Sequence, residues 1–173
     1  MAIRTIRTMG DDVLRKKCKE VTEITKREIT LINDMIDTMF EANGVGLAAP
    51  QVGILKRIFV IDIDDENGTM VFINPEILET NGTQCGEEGC LSVPGIYKKV
   101  RRPEKIKIEY TNIDGENITE EVDDFLAIIM QHEYDHLDGI LFVDKVSPIA
   151  KRMISRKLQA MKKETKKAEE VED

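Results

Sequence analysis

His132-Glu133-Tyr134-Asp135-His136 is the stretch of this chain whose residue types and spacing point most directly to chemistry. On a helix, positions i and i+4 lie one above the other on one face. Two imidazoles so placed can bind one metal ion, and the glutamate at i+1 is placed to act on a metal-bound water. The chain holds only two histidines, and both are here, behind the apolar lead-in Phe125, Leu126, Ile128 and Ile129. The bland alternative is a pair of helix histidines that only pack and hydrogen-bond. A catalytic metal site usually needs a third protein ligand and an open position for water. A third histidine six residues after His136 is excluded, because that position is Phe142. The third ligand must then be a cysteine or a carboxylate. Cys90 is the best candidate, in Glu87-Glu88-Gly89-Cys90-Leu91-Ser92, where glycine lets the backbone come close to a metal. Cys85 competes with it, and spacing leaves the two open. Cys18 reads as packing in an amphipathic helix. A thiolate beside two imidazoles suits Zn²⁺ or Fe²⁺ better than Mg²⁺ or Ca²⁺.

A third stretch is Gly44-Val45-Gly46-Leu47-Ala48-Ala49-Pro50-Gln51. Its small residues let a substrate backbone lie against the chain, and Gln51 offers a neutral amide donor. As a nucleotide loop it fails, since no Lys follows and the GxGxxG spacing is absent. No nucleotide cofactor is expected.

The elements that must position these residues follow from periodicity. Ile29, Ile32, Ile36, Met39 and Phe40 form an apolar stripe that predicts a helix over 25–42, stopped by Asn43-Gly44. A short helix is expected over 11–18. Arg57–Ile63 reads as a strand, and Lys105–Tyr110 alternates as a strand with one wet face. Asn67-Gly68, Asn81-Gly82 and Asp114-Gly115 are hairpin-grade dipeptides. Asp123 or Asp124 is a plausible N-cap for a helix through His136, ending before Gly139. Ser147-Pro148 opens a last helix. Helix, several short strands, then helix argues α+β: short mixed or antiparallel sheets around a central helix that carries the histidines, with N-terminal and C-terminal helices.

Composition bounds the rest. With 173 residues, one domain is expected over 1–168, followed by an acidic, frayed tail over 169–173. The chain is 41% hydrophobic and 34% charged, too apolar for disorder. No apolar run is long enough to span a bilayer, and the start, MAIRTIRTMGDD, does not read as a secretory signal. Three cysteines are too few, and of odd number, for a disulfide scaffold, so a reducing cytoplasm is expected. A net charge of -8 excludes a wholly basic nucleic-acid binder. Against that balance, residues 148–168 carry eight Lys/Arg and one Glu. A solvated basic face on a docked helix is the plain reading of that run.

Gly44–Gln51, Glu88–Ser92 and Gln131–His136 together resemble the three motifs of the peptide deformylase family, GxGxAAxQ, EGCLS and QHExDH, in the family's order. The resemblance runs over nearly the whole chain. It implies a hydrolase that removes the N-formyl group from the N-terminal methionine of newly synthesised proteins and releases formate. It implies metal ligands Cys90, His132 and His136, with water as fourth ligand, and Fe²⁺ as the ion in the cell, replaceable by Ni²⁺, Co²⁺ or Zn²⁺. Metal-activated water would attack the formyl carbon, with Glu133 as general acid/base. Gln51 and the Leu91 N–H would hold the oxyanion. Gly44, Val45, Gly46, Glu88, Gly89 and His132 would border the substrate main chain, as an added strand. Phe125, Ile128 and Ile129 would take the methionine side chain. Glu88 and Arg102 match a pair that braces the site in relatives. Tyr97 stands where some relatives carry Arg, and Asp123-Asp124 where many carry a small residue. The long basic last helix resembles the subtype in which that helix can contact the ribosome, through phosphates of its RNA. Two other readings stand beside this one: a metallopeptidase cutting internal bonds, and a non-enzymatic binding module stabilised by metal. The first usually takes His or Glu as third ligand; the second needs four closing ligands.

Overall fold

Thr25 starts the first long helix through a capping box. Its hydroxyl accepts from the Arg27 N–H, and the Glu28 carboxylate accepts from the Thr25 N–H. In the computed structural model, which describes residues 2–172, this helix (α1) spans Lys26–Glu41. Its buried arc is rotated from the predicted stripe. Ile32 and Met39 are buried, but Phe40 is exposed while Asp34 and Thr38 are buried. The N-terminal segment is the cause: the Ala2 N–H and the Arg4 guanidinium donate to Asp34, and the Arg4 N–H donates to Thr38. A polar flank with partners can be covered as readily as an apolar one.

The strands are β1 (Gly46–Ala48), β2 (Ile58–Ile61), β3 (Met70–Asn81), β4 (Gln84–Cys90), β5 (Val93–Arg102), β6 (Lys105–Thr111) and β7 (Asn117–Asp123). Five form one sheet in the order β1-β2-β3-β6-β7; β4 and β5 form a second. Every pair of these strands is antiparallel. Strand β2 lacks polar alternation because both its faces are covered. Phe59 and Ile61 join the cluster that includes Met130 and Leu137, whereas Ile58 and Val60 join the one that includes Ile32, Met35 and Met39. Asp114-Gly115 turns the β6–β7 hairpin as expected. Asn81-Gly82 does not turn a hairpin. Both edges of β3 are already paired, to β2 and β6, so the chain leaves for the second sheet.

Helix α2 (Asp124–Leu137) carries the histidine motif and packs against β1, β2, β6 and β7. Its end is set by Gly139 at φ +75, where a Cβ would lie 2.6 Å from the Arg15 carbonyl oxygen. The helix expected over 11–18 is a 3-10 turn, Asp12–Arg15, capped by Asp11. Cys18 is therefore not helical. It is buried, and its N–H donates to the Leu137 carbonyl, an acceptor left free at the end of α2. Helix α3 runs from Pro148 to Glu172, so the helix persists beyond Ala168, where a frayed tail was expected. Lys166 pairs there with both Asp12 and Glu169. Residue 173 lies outside the described residues. Ile154 and Leu158 seat α3 on a cluster that includes Val100 and Phe142. No described helix is long and apolar enough to cross a membrane.

Candidate active site

Strand β4 delivers Cys90 at its C-terminal end, where Cys90 pairs with Val93 across a tight turn through Leu91 and Ser92. Helix α2 presents His132 and His136 one turn apart, with ring centroids 5.1 Å from each other. One donor atom from each of Cys90, His132 and His136 falls within 4.8 Å of the others. The Cys90 Sγ is 3.4 Å from His136 Nε2. Cys85, the competitor left open by spacing, is exposed and lies opposite Arg101 in the β4–β5 ladder. Among the described residues the grouping that could hold a metal ion is therefore the Cys90 one.

The donor set fits a borderline divalent ion, one thiolate and two imidazoles. One orphaned atom supports that fit. The Glu133 Oε2 is buried without a hydrogen-bond partner in the protein. Buried orphan acceptors are costly unless something polar faces them. His136 Nδ1 also lacks a partner, but that ring turns its other nitrogen, Nε2, to Cys90.

A ring of side chains fixes the donors. Burial alone would lower the basicity of His132, but Cys90 and Glu88 outweigh it and hold the imidazole up at about 10. Its Nδ1 is 3.0 Å from Glu88 Oε1, which turns Nε2 toward the thiol. Burial and the neighbouring His132 push His136 well below its ordinary value. Arg102, itself buried, forks onto both oxygens of Glu88 at 2.6 and 2.9 Å and reaches Asp135 at 2.9 Å. Phe142 stacks on the His132 ring at 5.9 Å. Glu133 is pushed up to about 7 by burial, against the pull of His132 and Arg102.

Gln51 has its amide oriented from both ends. The Ala48 N–H donates to Oε1 at 2.9 Å, and Nε2 donates to the Ser92 hydroxyl at 3.0 Å, 3.6 Å from the Cys90 sulfur. Gly46 faces Glu133 so closely that a Cβ there would lie 3.0 Å from Oε1.

These groups open into a cavity of about 440 Å³. Its wall includes Gly44, Val45, Gly46, Gln51, Glu88, Gly89, Cys90, Leu91, Phe125, Ile128, Ile129, His132 and Glu133. Every site residue read from the sequence is thus on that wall except His136, 1% exposed, and the bracing Arg102, 2% exposed. Four contributors escaped the sequence reading: Asp135, Ser92, Phe142 and Lys145. Asp135 carried a usable signal. It sits three residues after His132, near the same helix face, where a buried acid demands a cation. The other three act only through distant contacts.

Comparison with known proteins agrees with this architecture. The family profile described as polypeptide deformylase matches residues 3–152. Peptide deformylase of Clostridium botulinum is 56% identical over 147 residues, covering 85% of this chain and 99% of that protein. That of Fusobacterium nucleatum is 53% identical over 169 residues, covering 95% and 96%. The crystal structure of a peptide deformylase from Legionella pneumophila superimposes with a TM-score of 0.87 at 46% identity, over 94% of this chain and 96% of that one. The Thermotoga maritima enzyme gives 0.82 at 47% identity, over 86% and 100%. With the profile spanning most of its length, this chain belongs to the peptide deformylase family.

Proposed function

We propose that this enzyme removes the N-formyl group from the N-terminal methionine of nascent polypeptides in the cytoplasm, using a divalent ion held by Cys90, His132 and His136. The observation that carries the proposal is the meeting of that donor set with Glu133 and an amide-locked Gln51 at one cavity, with His136 just behind its wall. Fe²⁺ is the ion proposed for the cell, as the family resemblance implies; Ni²⁺, Co²⁺ or Zn²⁺ would serve in its place, and the thiolate donor disfavours Mg²⁺. When bound, such an ion lowers the pKa of a coordinated water from ~15.7 toward ~7 and polarises the formyl oxygen.

The chain's own residues do the rest. Glu133, buried and one residue from a ligand, takes a proton from the attacking water and returns it to the leaving amine. Gln51 cannot turn its oxygen inward, because Oε1 is occupied by the Ala48 N–H. Its Nε2 therefore donates to the developing oxyanion, a contact typically worth ~3–4 kcal/mol, with the Leu91 N–H as second donor. Gly44, Val45, Gly46, Glu88 and Gly89 line the cavity and would border the substrate backbone as an added strand. Phe125, Ile128 and Ile129 supply the apolar wall for the methionine side chain. Formyl is the smallest acyl group, so a tight cavity on the metal side would accept it and reject acetyl.

The test is formate release from formyl-Met-Ala-Ser by anaerobically prepared, Fe²⁺-loaded protein, with acetyl-Met-Ala-Ser alongside. Rapid release from the first and none from the second is expected. Equal turnover of both peptides, or of neither, refutes the reading. The same proposal makes the ribosome a docking partner for α3, whose Lys151, Arg152, Arg156, Lys157, Lys163, Lys166 and Lys167 are exposed. Cosedimentation with ribosomes that falls steeply with added salt is expected. Cosedimentation indifferent to salt, or none at all, counts against it.

A further inference from the structure

We propose that Lys145 is a positioning residue for the metal site, acting through Asp135, Arg102 and Glu88 on His132. The proposal rests on the reading that Cys90, His132 and His136 hold an ion. The contacts form one unbroken chain. Lys145 Nζ is 3.1 Å from Asp135 Oδ2. The same oxygen accepts from Arg102 Nη1 at 2.9 Å. Arg102 then grips both oxygens of Glu88, and Glu88 Oε1 meets His132 Nδ1 at 3.0 Å. Exposure falls along the first links, from 40% for the Lys145 side chain to 11% for Asp135 and 2% for Arg102. Lys145 is thus the solvent-facing end of a buried charge network that terminates on a ligand.

The segment that carries Lys145 is itself held. The Asp144 carboxylate caps the Leu141 N–H and takes the Arg15 guanidinium. Val146 bridges to Val100 of β5, two residues from Arg102. Phe142, on the same turn, stacks on His132. The turn therefore touches the ligand by two routes, one apolar and one ionic. By the ionic route Lys145 pins Asp135 in the position that engages Arg102. Arg102 is then held so that its fork meets Glu88 squarely, and Glu88 fixes the ring orientation of His132. Groups that orient a metal ligand directly change affinity by roughly 10–100-fold when removed. Acting through further links and from a half-exposed site, Lys145 should be worth less, about 3–10-fold.

Charge and position predict opposite signs here. Cys90, Glu88, Glu133 and Asp135 already outnumber Arg102 and Lys145. Removing a cation makes the site more negative, so simple electrostatics predicts tighter retention of a divalent ion. Loss of positioning predicts looser retention.

The experiment loads wild type, Lys145→Met, Lys145→Arg and His132→Ala with Co²⁺ and follows its visible absorption during transfer to a chelator. Expected is release about 3–10-fold faster from Lys145→Met, with altered Co²⁺ bands, and recovery of both in Lys145→Arg. Thermal midpoints of the metal-free proteins are measured alongside; a merely structural role would move those and leave the bands alone. Release from Lys145→Met at the wild-type rate or slower overturns the proposal. If wild type binds Co²⁺ no better than His132→Ala, the metal-site reading falls and this proposal with it. If wild type binds and Lys145→Met matches it, this proposal alone falls.

Discussion

Arg102→Met tests the electrostatic frame of the site most directly. Arg102 is 2% exposed and bonds two carboxylates, Glu88 and Asp135. Methionine fills much of the same volume but carries no charge. The variant leaves Glu88 buried with only His132, and Asp135 with only Lys145. Removing one partner of a buried ion pair typically costs about 3–5 kcal/mol, chiefly because the other charge stays buried. For a chain of this size that corresponds to roughly 6–20 °C in thermal midpoint. The pH dependence supplies a second check. In wild type, burial raises the Glu88 carboxyl, but His132 and Arg102 outweigh it and hold it below its ordinary value. A carboxylate so depressed contributes stability above its unfolded value, and that contribution is lost as pH falls through the folded one. Without Arg102 the burial contribution gains ground, the folded value rises, and the neutral acid becomes the cheaper form. The stability deficit of the variant should therefore shrink as pH falls from neutrality toward the ordinary carboxylate range. Urea unfolding of both metal-free proteins across that range measures it. A deficit under about 1 kcal/mol would place the pair among those of no net worth. A deficit that grows with acidity would reverse the sign and refute the reasoning.

Four further outcomes are expected. Gly46→Ala should fold normally by circular dichroism yet lose about 10²-fold in kcat, because its Cβ would displace Glu133 from 3.0 Å; unchanged kcat would mean that Glu133 placement is not critical. Glu133→Ala should abolish turnover while Co²⁺ remains bound, as read by metal analysis; loss of the ion would give Glu133 a structural role. Lys56 holds the Glu28 carboxyl down at about 2, together with Thr25, so its contribution is present above 4.5 and fades as pH falls toward about 2. Lys56→Met should accordingly unfold at higher pH on acid titration, with the two curves converging near the low limit; parallel curves throughout would refute the linkage. Burial pushes the Cys18 thiol up to about 11, whereas Cys85 is exposed. A thiol reagent at mildly alkaline pH should label Cys85 first and Cys18 only on unfolding, which peptide mapping would settle.

What the sequence determined by itself was local. The i, i+4 spacing of His132 and His136 places both on one helix face whatever surrounds them, because helical geometry repeats. The helix over 25–42, the turn at Asp114-Gly115 and the Ser147-Pro148 helix start are likewise written in nearby residues, and each stands close to where it is expected. Tertiary structure decided whatever depended on partners distant in sequence. It separated Cys90 from Cys85, two thiols in one short strand, by the turn that brings only Cys90 to α2. It rotated the buried arc of α1 by laying Ala2 and Arg4 on Asp34 and Thr38. It denied Asn81-Gly82 a hairpin, because strand pairing is settled by which edges are free and not by the turn residues alone. It also assembled the chain from Lys145 to His132, whose members come from four separate elements. A period along the chain encodes which way a side chain faces. Only the closed fold, in which burying a charge is tolerable when a partner is already there, determines what it meets.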